Sequence, residues 1–571
     1  MLREWGVQAE ARDQPGGIGN YTPGRRPARR RADLWHNRAV RTQPSEEIKL
    51  TRIGVFGWGL VAPRSPNIDA FARNLEANGS WLAPFEGFGR DNFLVGKPDF
   101  RFADYRPWID DRFPPSRFRQ LEDKMDWPTL FAIGAFIQSL EQNPGIEQVL
   151  AELGSAAHVY VGVGLGNLQT IERAGIDLYR AQRRWNRFWG SPDHNSALRE
   201  YLHQEPAQQA AWGDVPPAPE SVPLAEREDA EEVWWRFWAD RSPELAEYLA
   251  ANSEIESLVI EGDVEQGKMR VMKERSRRHA RLQKEWEAPD PPWSQVSANV
   301  IWNIPNTPAA QISILGRIRG MAIAPSAACS TFGVTLKLGI DAIRRGEAKV
   351  VVIGATDPPP IGITVGAFYS GRVLTADATV SKPLSGLRGT HVAGGSVIWI
   401  LGDHEYLTAR GFRPLGIEPL AVGVTSDADH IITPSKEGPT AAIRKALAEA
   451  GVNGEEIVSW DLHATATPGD YQEVATLRDV LPESVLITAR KGTFGHGMSA
   501  GGGWELTAQY LGFERGHLFP TPLAPGELNR EIAGLHQRFV FNQGCPLPAG
   551  PVGKLSMGIG GINACVISRP W

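Results

Sequence analysis

Short apolar runs alternate with amphipathic stretches along most of the chain. The runs "AAHVYVGVGLGN", "VVVIGATD" and "GSVIWIL" have few polar interruptions, which is typical of strands buried on both faces. The stretches "MDWPTLFAIGAFIQSLEQ" and "PTAAIRKALAEAG" instead have the period of a helix, and Gly451 ends the second one. This alternation predicts an α/β fold with a largely buried sheet.

Two regions interrupt this pattern. Residues 1–48 are rich in Gly, Pro and Arg without apolar periodicity, so we expect a disordered basic tail, although its "GRRPARRR" run could touch anions or membranes. Residues 168–295 are charged, rich in Trp and mostly helical in pattern. Aromatic residues interleaved with Arg can bind single-stranded nucleic acid, but acidic residues are equally dense here. We therefore expect a helical insertion whose Trp side chains pack onto the main body or a partner chain.

The composition narrows the class of protein without identifying it. In 571 residues, 60 basic and 66 acidic side chains give a net charge of -6, which favours neither nucleic acid nor membrane as a partner. Three cysteines do not make a disulfide framework and fit a reducing compartment. No apolar run reaches the length of about 18 residues that spans a bilayer, and the first residues lack a signal peptide's apolar region. We expect a cytoplasmic protein.

Cys329 stands in "APSAACSTFG", between small residues and just before an amphipathic stretch. Small residues allow the backbone to turn sharply, and a sulfur near a helix N-terminus would be favoured as a thiolate by the helix dipole. A lone cysteine among apolar residues is more often inert packing, and we interpret Cys545 and Cys565 in that way. For Cys329 the stretch alone leaves both interpretations open.

Two further motifs carry chemically useful groups. In "HATATPGDYQE", His463 follows an apolar strand, where open α/β sheets bind ligands, and Thr465 and Thr467 can point their hydroxyls the same way. A capping role for Thr467 is compatible with that. In "KGTFGHGMSAGGGWE", Lys491 and His496 lie among glycines that permit close backbone approach. The glycines of "SMGIGGIN" and "GVGLGN" are only weak dinucleotide-loop signals.

In the order Cys, His, Lys–His and Gly-Gly-x-Asn, these motifs resemble the β-ketoacyl-acyl carrier protein synthases of the thiolase superfamily. The stretches "RIGVFGWGLVAP" and "GAFYSGRVLT" resemble the opening strand of that family and the loop over its active site. The resemblance implies a thiolase-like α/β fold, with two βαβαβαββ halves stacked in five layers. The N-terminal half would comprise residues 49–167 and 296–402, the insertion 168–295, and the C-terminal half 403–571.

The resemblance also implies a catalytic set. Cys329 would be the nucleophile that accepts an acyl group, and the backbone N–H groups of Cys329 and Ile559 would form the oxyanion hole. His463 and His496 would stabilise the enolate that remains when a malonyl group loses carbon dioxide. Lys491 would supply positive charge beside them.

Supporting roles follow from the same resemblance. Glu473 would pair with Lys491, and Thr465 and Thr467 would bind the pantetheine arm. Asn563 would hold the oxyanion loop. Phe368 matches an aromatic residue in the loop that faces the gate.

The activity implied is a decarboxylative Claisen condensation of an acyl thioester with malonyl-acyl carrier protein, in fatty acid or polyketide biosynthesis. The enzyme would be a homodimer, with acyl carrier protein as its partner and with substrates carried on phosphopantetheine or CoA. It would need no metal or other cofactor. The two histidines separate this chain from degradative thiolases, which use a second cysteine, and from the initiating synthases, which use Cys-His-Asn.

Two departures from the family leave other interpretations open. Ile559 stands where the family has a gating Phe, and "LRGTHVAGGSV" lacks the usual acidic positions. The chain could therefore be a catalytically altered partner subunit, similar to a chain-length factor, although such subunits lose the active cysteine that this chain keeps. A hydrolytic cysteine enzyme would explain the Cys–His pair but not Lys491 or the second histidine.

Overall fold

The computed structural model describes residues 50–89, 91–260, 264–431, 433–536 and 538–571. The predicted tail of residues 1–48 lies outside the described residues. The first part of the N-terminal half contains β1 (Ile53–Val61), α1 (Ile68–Ala77), β2 (Ala83–Pro84), β3 (Leu94–Val95), α2 (Arg106–Arg112), α3 (Ser116–Lys124), α4 (Trp127–Ser139), α5 (Ile146–Leu153) and β4 (Ala157–Val163).

A helical segment follows β4 before the α/β pattern resumes. Its α-helices are α6 (Leu168–Trp189), α7 (Ser196–His203), α8 (Pro206–Gln209), α9 (Arg227–Ala239), α10 (Pro243–Glu256) and α11 (Val264–Trp286). The N-terminal half is then completed by α12 (Asn299–Trp302), α13 (Thr307–Leu315), β5 (Ala322–Ile323), α14 (Thr331–Arg344), β6 (Val350–Asp357), α15 (Gly362–Ser370) and β7 (Gly395–Asp403).

The C-terminal half repeats the same alternation of strands and helices. It contains α16 (His404–Thr408), β8 (Glu418–Ser426), α17 (Glu437–Ala450), β9 (Ser459–Asp461), α18 (Gly469–Arg478), β10 (Leu486–Thr488), α19 (Lys491–Phe494), α20 (Met498–Arg515), β11 (His517–Leu518), α21 (Arg530–Ala533), β12 (Cys545–Pro546), β13 (Val552–Gly558) and β14 (Ile562–Arg569).

Two five-stranded sheets have the same internal plan. The first has the order β1-β7-β6-β4-β5, and the second, read from the corresponding edge, has the order β8-β14-β13-β9-β10. In both sheets the first three strands pair antiparallel and the next two pairings are parallel. The two halves of the chain are therefore built alike, as the sequence predicts.

Helices fill the space between and outside these sheets. Helices α14 and α20 contact each other and strands of both sheets, so they form the central layer. Helix α4 covers the first sheet from outside, and α17 covers the second. Every residue of α4 from Pro128 to Ser139 is buried, which explains why that stretch is apolar nearly all round. The resulting layers alternate as α, β, α, β, α, and the predicted thiolase-like fold is confirmed.

The close packing of the central layer depends on small residues in α20. A Cβ atom at Gly503 would lie 2.4 Å from Val397 Cγ1 and 2.6 Å from Phe332 Cδ2. Only glycine lets the backbone of α20 approach β7 and α14 so closely. The run "SAGGGWE" therefore sets the distance between α20 and α14, the helix that Cys329 precedes.

The Trp residues of the helical segment pack mainly against one another. Trp189 contacts Trp185 and Trp286, and Trp238 contacts Trp212 and Trp234, with ring centroids 5.6 to 5.8 Å apart. Of the two predicted partners, the main body is therefore wrong for these side chains, because the segment buries them in aromatic clusters of its own; packing on a partner chain stays a prediction. Helical periodicity indicates which side of a helix is apolar but not which surface covers it.

A buried asparagine ties three of these helices together. The Asn195 amide donates to the backbone oxygens of Trp189 and Trp238, at 2.9 and 2.7 Å, and its oxygen accepts the N–H of Leu198 at 2.9 Å. These bonds join the end of α6, the start of α7 and the end of α9.

Within the described residues, no helix is both long and apolar enough to cross a membrane.

Candidate active site

Cys329 lies in the sharp turn that the sequence predicts. A single turn of 3-10 helix, Ala328–Ser330, links the segment after β5 to α14, and Ala328 has a left-handed φ of +47°. A small side chain tolerates that conformation at a modest cost. The Ser330 hydroxyl donates to the backbone oxygens of Ser556 and Ile562, at 3.0 and 2.7 Å. The turn is thereby fixed to the hairpin of β13 and β14.

His463 follows β9 by two residues and points into the same space. Its ring centroid lies 5.3 Å from that of His496, and the planes cross at 82°. The sulfur of Cys329 and one ring nitrogen from each histidine all lie within 4.8 Å of one another. The two halves of the fold therefore bring one thiol and two imidazoles together, as the family resemblance implies.

Hydrogen bonds fix the tautomers of both rings. Lys491 Nζ lies 3.4 Å from His463 Nδ1, and the Met498 N–H donates to His496 Nδ1 at 3.2 Å. An Nδ1 atom that accepts a hydrogen bond leaves the proton of a neutral imidazole on Nε2. Each ring thus carries a donor, Nε2–H, available for an anion in the cavity.

Burial keeps both imidazoles uncharged. The pKa of His463 and that of His496 lie well below the ordinary value, first because burial disfavours the charged ring and second because the ammonium of Lys491 repels it. His496 is also fixed through its backbone, since its N–H donates to the His391 oxygen at 2.6 Å. Neutral, oriented imidazoles are the form that the predicted mechanism requires.

The predicted pairing of Lys491 with Glu473 is wrong. Lys491 Nζ lies 2.6 Å from Glu505 Oε1, on α20, and also donates to the backbone oxygen of His463. The Glu473 carboxylate instead accepts the N–H groups of His463 and Ala464, at 2.7 and 2.8 Å. Burial raises the pKa of Glu473 to about 7. Glu473 therefore supports the backbone beneath His463, and Glu505 is the counter-ion of Lys491.

Further buried charges lie behind this pair. Lys554 of β13 lies 2.8 Å from Glu505 Oε2 and 3.8 Å from Asp461 Oδ1. Asp461 also accepts from Arg490 Nε at 2.8 Å. The sequence motifs do not predict three of these buried charges, Glu505, Lys554 and Asp461. Their signal was a single charge within an otherwise apolar element, as in "WELTAQYLGF" and "VGKLSMG", because a buried charge requires a partner.

The thiol of Cys329 is neutral at rest. Burial raises its pKa to about 11, and this outweighs the opposing effects of Lys491 and of the N–H groups of Ile559 and Cys329. Burial therefore outweighs the helix dipole that would favour a thiolate. The two N–H groups nevertheless point at the sulfur, where an acyl oxygen would lie in the predicted oxyanion hole.

The loop that carries Ile559 is held by Asn563. The Asn563 amide donates to Asp427 Oδ1 at 2.6 Å and to the Gly561 backbone oxygen at 3.3 Å. The Asp427 N–H donates to the same Gly561 oxygen at 2.8 Å. These contacts keep the loop of residues 558–561 in shape, consistent with the predicted role of Asn563.

A cavity of about 340 Å³ leads from the surface to Cys329. Thr465 and Thr467 lie along it with their hydroxyl oxygens 3.0 Å apart. Phe368 and Ile559 also line it, and Ile559 is 41% exposed. The cavity therefore has a polar wall on one side and two apolar side chains that could cover its mouth.

The "GVGLGN" stretch directs its backbone N–H groups at a buried carboxylate beside the site. The N–H groups of Gly164 and Leu165 donate to Asp357 Oδ1, at 3.0 and 2.6 Å. The N–H of Ser499 donates to Asp357 Oδ2 at 2.7 Å. A buried carboxylate at the end of β6 thus joins β4 to the start of α20, next to the thiol.

Comparison with known proteins agrees with this geometry. The family model "Beta-ketoacyl synthase, N-terminal domain" matches residues 272–403, and "Beta-ketoacyl synthase, C-terminal domain" matches residues 418–523. Nodulation protein E of Rhizobium meliloti is 31% identical over 223 residues, which cover 38% of this chain and 55% of that protein. The chloroplastic 3-oxoacyl-[acyl-carrier-protein] synthase I of Arabidopsis thaliana is 31% identical over 228 residues, 38% of this chain and 48% of that protein. The alignments thus span about half the length of these relatives.

Solved structures match the fold over a greater length. The ishigamide ketosynthase/chain length factor superposes with a TM-score of 0.63 at 20% identity, over 91% of this chain and 100% of that one. A type II PKS acyl-carrier protein in complex with its ketosynthase superposes with a TM-score of 0.61 at 16% identity, over 92% of this chain and 100% of that one. At 20% and 16% identity, these two solved structures show that the chain shares the α/β fold of ketosynthases. Over residues 272–403 and 418–523 the chain is similar to the β-ketoacyl synthase family.

Proposed function

We propose that this protein is a β-ketoacyl-acyl carrier protein synthase. It would condense an acyl group held on Cys329 with malonyl-acyl carrier protein, in fatty acid or polyketide biosynthesis. The observation that carries the proposal is the set of three reactive atoms, one sulfur and two imidazole nitrogens, within 4.8 Å of one another at the end of a cavity. The similarity to β-ketoacyl synthases over residues 272–403 and 418–523 supports it.

The first step transfers the acyl group. The sulfur of Cys329 attacks the carbonyl of an acyl thioester, and the N–H groups of Cys329 and Ile559 stabilise the oxyanion that develops. The new thioester forms as the bond to the pantetheine sulfur breaks, and the thiol proton ends on that departing sulfur. The threonines of the cavity wall, Thr465 and Thr467, bind the pantetheine arm.

The second step forms the carbon–carbon bond. The malonyl thioester loses carbon dioxide, and the Nε2–H groups of His463 and His496 donate to the enolate oxygen that remains. The enolate carbon attacks the acyl carbonyl, and the bond to Cys329 breaks to release a β-ketoacyl thioester. The thiolate of Cys329 then takes a proton from solvent, which replaces the one that left with the pantetheine sulfur in the first step. The ammonium of Lys491 places a positive charge close to the enolate, the oxyanion and the thiolate that form in turn.

The proposal includes an acyl carrier protein as the partner, because the substrates are tethered thioesters and a solved structure of similar fold holds such a complex. It also includes a homodimer, a cytoplasmic location, and no metal or cofactor beyond the phosphopantetheine that carries the substrates. Gel filtration with light scattering tests the dimer, and dialysis against a chelator tests the independence from metal.

The central test has two stages. The protein is first incubated with acyl-CoA or acyl-acyl carrier protein, and intact mass spectrometry is expected to show one acyl group on Cys329. Malonyl-acyl carrier protein is then added, and a β-ketoacyl product is expected. Cys329→Ala should lose both results, and Cys545→Ser, outside the cavity, should keep them. A Cys329→Ala protein that condenses as well as wild type would refute the assignment.

The same experiment separates the alternative function. A partner subunit similar to a chain-length factor would bind the synthase of another chain and take up no acyl group. The specific observation in its favour is the neutral, buried thiol, whose pKa is raised to about 11. An absence of any Cys329 adduct, with folded protein confirmed, would favour this alternative.

A further inference from the structure

Lys554 is a fully buried lysine that the mechanism above does not use. It lies in β13, four residues before the loop of residues 558–561, and its side chain is 1% exposed. Its ammonium lies 2.8 Å from Glu505 Oε2 and donates to the backbone oxygens of Leu462 and Leu555, at 3.3 and 2.6 Å. The ammonium thus makes two hydrogen bonds to the backbone and one close ion pair.

Two of these contacts lead to the catalytic groups. Glu505 holds Lys491, which in turn contacts the backbone oxygen and Nδ1 of His463. Leu462 is the residue immediately before His463. Lys554 therefore fixes His463 from two directions, once through its backbone and once through the Glu505–Lys491 pair.

The charges of the cluster do not require this lysine for neutrality. Asp461 and Glu505 are already matched by Arg490 and Lys491, through ion pairs of 2.8 and 2.6 Å. Lys554 adds one positive charge, and Glu473 is the remaining carboxyl that acts directly on its ammonium. A buried charge without a matched partner is costly, so its presence here calls for a function.

We propose that Lys554 is a positioning residue of the catalytic centre, which holds His463 and Lys491 in place and supplies surplus positive charge beside both imidazoles. The inference rests on the proposed function, because that charge serves a site in which anions form. It keeps the imidazoles in the neutral form that donates from Nε2. It also favours the thiolate and the enolate, since each develops negative charge in the same cavity.

Other ionisable groups face the imidazoles from the surrounding elements. Cys329 faces them from the turn before α14, Glu473 and Asp470 from α18, and Glu505 from α20. Burial raises the pKa of the carboxyls of Glu473 and Asp470, to about 7 and about 6, so these two groups titrate near neutrality. Of the positive charges, Lys491 and Lys554 both oppose protonation of the two histidines.

The test compares Lys554→Met and Lys554→Gln with wild type. Lys349→Met is the matched control, because Lys349 also makes a 2.8 Å ion pair, with Asp403, but at the opposite end of β6 from the site. Histidine side chains are labelled with ¹⁵N and followed by NMR against pH, and His463→Gln and His496→Gln variants assign the two signals. Condensation is measured over the same pH range.

In both Lys554 variants, the pH at which His463 becomes protonated should rise by roughly one unit. The acid limit of condensation should rise with it, and Lys349→Met should match wild type in both. Folded Lys554 variants that lose stability but titrate as wild type would overturn the proposal. Failure of both variants to fold would assign Lys554 to folding alone and overturn it too. A histidine shift in a protein with no condensing activity would support this inference and refute the proposed function.

Discussion

The reactivity of Cys329 toward an alkylating agent should follow the buried state of its thiol. A thiol whose pKa is about 11 is a thiolate to only about 0.1% at pH 8, whereas an ordinary cysteine is a thiolate to about 24%. The alkylation rate should therefore rise about a thousandfold between pH 7 and pH 10. An ordinary thiol would gain only about thirtyfold and would level off near pH 9.

The assay measures the slope of this rate against pH. Iodoacetamide is added to the ligand-free protein, and peptide mass spectrometry follows the adduct on Cys329 with time. The slope is informative because limited access to the cavity lowers the rate equally at every pH. Lys491→Met should slow the reaction further at each pH, since Lys491 is the strongest influence that lowers the pKa of this thiol.

One result would refute the reasoning. If the wild-type rate levels off by pH 9, the field of α14 and the two N–H groups outweighs burial, and the resting thiol is already activated. Half-buried Cys545 lies outside the cavity and provides an internal comparison in the same digest. Its rate should be unaffected by Lys491→Met.

Three further predictions concern stability. Burial raises the pKa of Glu473 to about 7, above its value of about 4.3 in an unfolded chain. The contribution of this carboxyl to the free energy of unfolding is therefore fully present below pH 4.3 and is lost as pH rises through 7. In urea unfolding measured from pH 4.5 to 7.5, Glu473→Gln should reduce this loss of stability by up to roughly 3 kcal/mol. If the free energy of unfolding changes with pH as in wild type, the prediction is contradicted. Gly503→Ala should destabilise the protein by about 1 to 3 kcal/mol, because the added Cβ would clash with β7 and α14. Gly175 in α6 has open space around it, so Gly175→Ala should stabilise by about 0.5 to 1 kcal/mol. Equal effects of the two variants in thermal unfolding would refute this reasoning. Asn195→Ala should destabilise the helical segment by about 2 to 3 kcal/mol, because two buried backbone carbonyls lose their hydrogen-bond donor. Amide hydrogen exchange across residues 168–256 should become faster, and exchange as slow as in wild type would contradict the prediction.

The sequence predicted which residues form the site better than it predicted which of them pair with one another. Cys329, His463 and His496 follow from motifs in which the residue type and its local turn are set by neighbours in the chain. The counter-ion of Lys491 was not predictable in this way. Glu473 and Glu505 are both helical carboxylates near the motif, and the choice between them depends on how α18 and α20 pack against β9 and β13.

The same distinction applies to the fold. Apolar runs predicted the buried strands, and the resemblance predicted two similar halves. The helical segment was predicted as helical, but the packing of its Trp residues was not, because many aromatic side chains can satisfy one another without a second surface. The depth at which Cys329 is buried was not predictable for a related reason. A local sequence shows the helix that follows a thiol but not how deeply the rest of the molecule buries it.

The bridge made by the Ser330 hydroxyl has a consequence for biosynthesis of the chain. It joins residues that are 226 and 232 positions apart in the sequence. Contacts of such separation form late, after the loop between them has been closed. The ribosome must therefore have passed β14 before the nucleophile turn is held in shape. A chain synthesised only as far as β13 lacks the Ile562 oxygen that holds this turn, so its nucleophile is not yet fixed in position.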